Sequence, residues 1–177
     1  MNIEKLSALY GRLLTWLALA GCLVLFCMMI LICVDVLLRN AMIIPGVRGL
    51  AWGNEVTESM LYLLTMLTAP WLLRQGQHIR VDILLRAIPR TLAWVFEWLC
   101  DVMALVCSLI ITWYGISATI ASYKSGAMTI KALITPEWWS IAPLPVAFLL
   151  LSIEILFRMH RLYQAERGPR DDAVSAA

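Results

Sequence analysis

Long uncharged apolar runs dominate the pattern of the chain. Two of them, Leu13 to Val34 and Val102 to Tyr123, each extend for 22 residues without an Asp, Glu, Lys or Arg. At 1.5 Å per residue, a helical run of this length crosses roughly 30 Å of hydrocarbon. Two shorter runs, 59–73 and 138–153, reach that length only by extending through neighbouring polar residues. The pattern predicts an all-α membrane protein with four spans, at about 13–38, 53–73, 92–118 and 138–157.

A segment that is both charged and apolar, 77–90, separates the second and third predicted spans. Its polar side chains recur at four-residue intervals, at His78, Asp82, Arg86 and Arg90. On a helix these residues form one strip, and the leucines and isoleucines of the segment lie away from it. The spacing predicts an amphipathic helix lying in the membrane interface, and an ordinary short connector is the alternative.

Basic residues are distributed unevenly between the two sides of the membrane. Ten of the 14 Lys and Arg residues fall in the N-terminal segment, the loop after the second span and the C-terminal tail. The positive-inside rule therefore predicts a protein of the cytoplasmic membrane with both termini in the cytoplasm. Residues 165–177 have no apolar period and are predicted to be a disordered tail after the membrane domain, 1–164.

Composition narrows the possible functions. With 62% hydrophobic and 15% charged residues, the chain departs from ordinary globular usage. Its net charge of +2 arises from three separate basic segments, so we predict no nucleic-acid site. All five cysteines fall inside predicted spans, where no disulfide framework is expected. No catalytic Ser–His arrangement or phosphate-binding glycine loop is recognisable, so we do not expect an enzyme.

Several polar residues of the spans are predicted to make structural contacts. Asp35 and Arg39 stand four residues apart, the spacing of an ion pair on one helix face. The same spacing predicts a second pair between Glu154 and Arg158. In the third span the small residues also recur at this interval and predict a face for close helix packing: Ala104, Ser108 and Thr112.

Glu97 and Asp101 share a face of the third span, where an unpaired charge costs several kcal/mol. They either form a proton or cation site or meet arginines or a partner subunit, and the second interpretation is preferred. A haem-binding redox subunit is a rival class. It needs axial ligands within the spans, but the two histidines, His78 and His160, lie in the 77–90 segment and just beyond the fourth span.

Two sequence blocks resemble the small permease subunit of the tripartite ATP-independent periplasmic (TRAP) transporters, the DctQ-like family. The first block opens the second span at Trp52-Gly53-Asn54-Glu55 and continues through Arg74-Gln75-Gly76-Gln77-His78-Ile79-Arg80-Val81-Asp82 to Pro89. The second runs from Pro136 to Trp139 and includes Pro143 and Pro145. The resemblance covers about residues 12 to 160, although Asn54 replaces an acidic residue that many relatives have.

This resemblance implies a complex of three proteins: a periplasmic solute-binding protein, a large many-span permease and this small subunit. Sodium and substrate, usually a small organic acid, would bind the large permease, so no cofactor or metal is expected here. The small subunit would contact the surrounding membrane lipids and enlarge the scaffold of the large permease. A transport domain would move against this scaffold. The contrasting hypothesis is a self-sufficient carrier or channel that acts as a homo-oligomer through Glu97 and Asp101.

The resemblance, together with the predicted interface positions of Glu58 and Arg86, suggests residues that contact partners or anchor the chain in the membrane. On the outer face these candidates are Trp52, Glu55 and Glu58. On the inner face they are His78, Arg80, Asp82 and Arg86. The alternative is that these side chains only set the depth of the spans and cap helix ends.

Overall fold

The computed structural model describes residues 3–40, 49–75, 90–130 and 132–164. Its helices are α1 (Ile3–Asn40), α2 (Gly53–Arg74), α3 (Arg90–Ser125), the short α4 (Glu137–Ile141) and α5 (Pro143–Gln164). Between α3 and α4, two short strands, β1 (Met128–Ile130) and β2 (Ile134–Pro136), pair as an antiparallel hairpin.

Four helical segments are long and apolar enough to cross a membrane: α1, α2, α3 and the α4–α5 unit. The four predicted spans lie inside these segments. The predicted interfacial helix, 77–90, lies outside the described residues except for Arg90, which begins α3. The predicted tail, 165–177, also lies outside them.

The main helix contacts run in the order α1, α2, α5, α3, so α2 and α5 are central and α1 and α3 lie at the edges. Successive long helices alternate in direction, as the contacts between their ends require. We call the end with the start of α1 and the end of α5 the terminal end. The opposite end, which carries the β-hairpin, is the loop end.

Helix α1 packs against α2 along one narrow seam. Its least exposed residues recur every three to four positions and include Leu14, Ala18 and Gly21. Gly21 permits the close approach, since a Cβ atom there would lie only 2.9 Å from Thr68 Cγ2. The remaining surface of α1 is apolar and exposed, with Trp16 at 73% exposure.

Helix α3 packs against α5 along a seam whose positions alternate between three- and four-residue steps. Its members are Asp101, Leu105, Ser108, Thr112, Gly115, Thr119 and Ser122. This average spacing of 3.5 residues is that of coiled-coil packing. Ser108 and Thr112 are buried as the small-residue pattern predicted, but Ala104 is exposed, so its assignment to the packing face was wrong. A constant four-residue interval moves gradually around the helix, so it cannot follow a seam in which steps of three and four residues alternate.

Prolines shape the start of the fourth spanning segment. Pro136 precedes α4 in extended backbone, with φ −62° and ψ 130°. It forms the end of β2, opposite Met128. Pro143 and Pro145 have no N–H to continue the helical bonding, and the helix assignment is interrupted at Ala142, between α4 and α5.

Candidate functional site

Arg74 joins three helices at the terminal end. From the last residue of α2, its Nη1 donates to Glu154 Oε2 of α5 at 3.1 Å. Its Nη2 donates to the backbone oxygen of Ser7 in α1 at 2.9 Å. A second guanidinium, that of Arg161, donates to Glu154 Oε1 at 2.6 Å. One fully buried carboxylate is therefore held between two arginines.

This arrangement corrects the predicted pair of Glu154 with Arg158. Glu154 binds Arg161, two helical turns away, and Arg74 from the neighbouring helix, because its side chain lies between α5 and α2. Arg158 instead binds α3, where its Nε lies 3.2 Å from Asp101 Oδ1. Sequence spacing alone compared only residues of the same helix and missed these partners.

Asp101 and Arg158 link the two helices at the α3–α5 seam, and both side chains are largely buried. Glu97 lies buried one turn earlier on the same face and also has an interaction partner. Deeper in the seam, the Ser108 and Ser152 hydroxyls lie 2.8 Å apart and form a buried hydrogen bond. For Asp101, the ion-pair partner within the bundle is an arginine of this chain.

Tyr10 adds a neutral contact at the terminal end. Its hydroxyl donates to the backbone oxygen of Leu150 at 2.6 Å, and its ring packs against Phe157 at 5.6 Å between centroids. Together with Arg74, this side chain connects the start of α1 to α5. The sequence analysis assigned no contact to either residue, although a buried carboxylate such as Glu154 requires a cation at the same depth.

At the loop end, Asp35 holds the segment that precedes α2. The predicted ion pair is present, with Arg39 Nε 2.8 Å from Asp35 Oδ2. The second carboxylate oxygen accepts the backbone N–H of Leu50 at 2.7 Å. Gly49 has a positive φ of 93°, and a Cβ atom there would lie 2.7 Å from Arg39 Cγ. Glycine is therefore required where the loop passes over the ion pair.

Glu55 binds the loop of the β-hairpin. Its two oxygens accept the backbone N–H groups of Ala132 and Leu133 at 2.7 and 3.0 Å. A groove of about 300 Å³ lies beside this contact, between α2, the hairpin and Trp139. Glu55 thus satisfies two backbone donors that do not belong to its own helix.

The other candidate interface residues are divided between the loop end and undescribed parts of the chain. Trp52 is exposed at the start of α2 and makes no side-chain cap there. Glu58 is exposed one turn into the same helix. The predicted inner-face candidates, His78, Arg80, Asp82 and Arg86, lie outside the described residues.

Of the residues considered for metal and redox chemistry, the structure describes the five cysteines and His160. Within the described ranges, no three His, Cys, Asp or Glu side chains are grouped so that they could hold a metal ion. All five cysteines are free thiols on exposed helix surfaces. His160 lies near the end of α5, at the terminal end.

These features define the class as a multi-pass membrane protein with four candidate spans whose polar groups join neighbouring helices. Residues 28–165 match the family described as tripartite ATP-independent periplasmic transporters, DctQ component. The match covers most of the chain, which therefore belongs to this family of small TRAP transporter subunits. The resemblance seen in the two sequence blocks is confirmed. A comparison with curated proteins gave no match.

Proposed function

We propose that this chain is a rigid scaffold subunit that binds a large many-span permease in the bacterial inner membrane. The resulting complex takes up a small organic acid, coupled to sodium and delivered by a periplasmic binding protein. Both termini lie in the cytoplasm, and the sodium and substrate sites belong to the large permease. The proposal rests on the family match, because DctQ components are parts of such tripartite transporters.

The observation that carries the scaffold role is the use of the intramembrane charges. Glu154 is bound by Arg74 and Arg161, and Asp101 by Arg158, so these groups fix helices to one another. A carrier needs ionisable groups that exchange partners with its cargo, whereas a scaffold needs contacts that persist. The internal ion pairs support the scaffold interpretation over a self-sufficient carrier that uses Asp101.

The two edge helices supply surfaces for a membrane-embedded partner. Helix α1 packs chiefly through its narrow seam against α2, and α3 packs chiefly on α5. Large apolar side chains cover the rest of both helices; examples are Leu9, Trp16, Leu23, Met103, Trp113 and Tyr114. Such surfaces suit either lipid or the apolar surface of the large permease, which buries them by van der Waals packing.

Affinity purification from native membranes in mild detergent tests the partnership. We expect a large many-span protein to co-purify in near-equal amount, and sodium-driven uptake to require both chains after reconstitution. Uptake by this chain alone, as a stable homo-oligomer, would contradict the proposal and support the self-sufficient carrier.

The orientation is tested separately by thiol labelling of intact cells. Gln75 and Ser125 are exposed at opposite ends of the helices, so each can be replaced by Cys in a variant without the five native cysteines. A membrane-impermeant maleimide should label Ser125→Cys in intact cells and Gln75→Cys only after permeabilisation. The reverse pattern would place the terminal end in the periplasm.

A further inference from the structure

The outer surface of the α1–α2 pair contains a cleft at the terminal end that the scaffold role does not use. Its volume is about 460 Å³, and it lies between the first turns of α1 and the last residues of α2. The polar part of its lining consists of Arg12, Thr15, Arg74 and Gln75. Ala8, Trp16 and Leu19 supply the apolar part.

The charged side chains around this cleft include more cations than anions. Glu154 is shared by Arg74 and Arg161, so that cluster holds two cations and one anion. Arg12 lies on the exposed side of α1 and has no ion-pair or hydrogen-bond partner among the described residues. Two arginines line one cleft, and the described side chains supply one carboxylate near them, so the cleft favours a bound anion.

The position of the lining residues along α1 indicates an amphiphilic ligand. Arg12 precedes the uncharged run that begins at Leu13, and Leu19 lies within it. Seven residues separate Arg12 from Leu19, which corresponds to about 10 Å along a helix. The cleft therefore extends from a basic rim into the apolar depth of the span, and Trp16 has the amphipathic character found at this level of a bilayer.

We propose that this cleft binds an anionic phospholipid, with its phosphodiester at Arg12 and Arg74 and one acyl chain along Trp16 and Leu19. The cleft continues into the apolar span, so the occupant is a lipid rather than a free phosphate ester. In the orientation proposed above, the lipid belongs to the cytoplasmic leaflet, but the site itself does not depend on that orientation. The bound lipid fills the outer surface between two helices that otherwise meet along a narrow seam.

The test uses the purified full-length chain in nanodiscs that contain phosphatidylcholine and phosphatidylglycerol. Phosphatidylglycerol brominated on its acyl chains should quench the Trp16 signal, measured as the difference from Trp16→Phe, more strongly than brominated phosphatidylcholine. Arg12→Gln should lower this preference about fivefold, since a basic residue near an anionic headgroup contributes about 1 kcal/mol. Ala8→Phe, which fills the cleft and keeps every charge, should lower it as well.

Lys124→Gln is the matched control, because it removes one exposed cation at the loop end. It should retain the full preference, and circular dichroism should show that each variant keeps its helix content. An Arg12→Gln variant with unchanged preference would overturn the site. Displacement by soluble glycerol phosphate, without any preference between the two lipids, would overturn the lipid assignment and indicate a phosphate-ester site.

Discussion

The terminal end and the loop end use carboxylates in different ways. At the terminal end, Glu154 and Asp101 bind arginines of neighbouring helices. At the loop end, Asp35 and Glu55 accept backbone N–H groups from the connecting segments. The first arrangement fixes how helices sit against each other, and the second fixes the path of the chain between helices.

The difference follows from what each end must satisfy. Backbone N–H groups in the connections between helices have no helical partner and therefore need other acceptors. The α1–α2 and β1–β2 connections obtain them from Asp35 and Glu55. A carboxylate buried between spans needs a cation instead, which only a neighbouring helix or a later turn can supply. Loss of a terminal-end contact should therefore destabilise the whole domain, whereas loss of a loop-end contact should act locally.

The largest expected effect is that of Glu154→Ala. This change leaves Arg74 and Arg161 close together without their carboxylate, which should lower the free energy of unfolding by about 3–5 kcal/mol. Unfolding in mixed detergent micelles, followed by circular dichroism, measures the loss. A double variant, Glu154→Leu with Arg74→Leu, is the control, because it removes the buried charges together and should recover at least half of the loss. Wild-type stability for Glu154→Ala alone would contradict the role of this contact.

A smaller effect is expected at Asp101. Asp101→Asn removes the charge that binds Arg158 and should lower the free energy of unfolding by about 1.5–3 kcal/mol, the range for hydrogen bonds to charged groups. Arg158→Gln and the double variant complete a double-mutant cycle. The cycle isolates the interaction free energy of this pair from the effects of other contacts. Sodium-driven uptake per assembled complex should stay unchanged. Loss of coupling at normal complex yield would instead support an ion relay through α3.

The sequence correctly predicted the features that depend on residues close together along one helix. Spans were recognisable because uncharged runs of this length have few other uses, and the Asp35–Arg39 pair because both residues share one helix face. Glu154 was assigned the wrong partner for the same reason: spacing suggested Arg158, while packing brings Arg74 and Arg161 to it. A partner 80 positions away leaves no periodic signal.

The β-hairpin was not predicted from the sequence, for a different reason. Each strand has three residues, too few for an alternating pattern to rise above the surrounding loop. Glu55 was predicted only as a residue that contacts a partner or anchors the second span, because nothing in the sequence connects it to Ala132 and Leu133. Its contact became visible only when α2 and the hairpin were placed side by side.

Glu55 provides the corresponding test at the loop end. Glu55→Ala removes the acceptor for two backbone N–H groups that water can reach, so the local cost should be about 1 kcal/mol. Hydrogen exchange of the peptide that contains Ala132 and Leu133 should become about fivefold faster, while global unfolding stays unchanged. Asn54→Ala, beside Glu55 on the exposed side of α2, is the control and should leave this exchange unaltered. A global loss of stability would remove the distinction between the two ends.

The smallest expected effect lies between the two ends, at Ser108. The Ser152 hydroxyl can donate to the Phe148 oxygen of its own helix, so Ser108→Ala removes the link between the helices without leaving a buried donor on α5. Hydrogen bonds between membrane helices average about 0.6 kcal/mol, and the free energy of unfolding should fall by no more than about 1 kcal/mol. Ser117→Ala, on the exposed face of α3, is the matched control. A loss as large as that of Glu154→Ala would mean that the seam, rather than the charged contacts of the terminal end, holds α3 on α5.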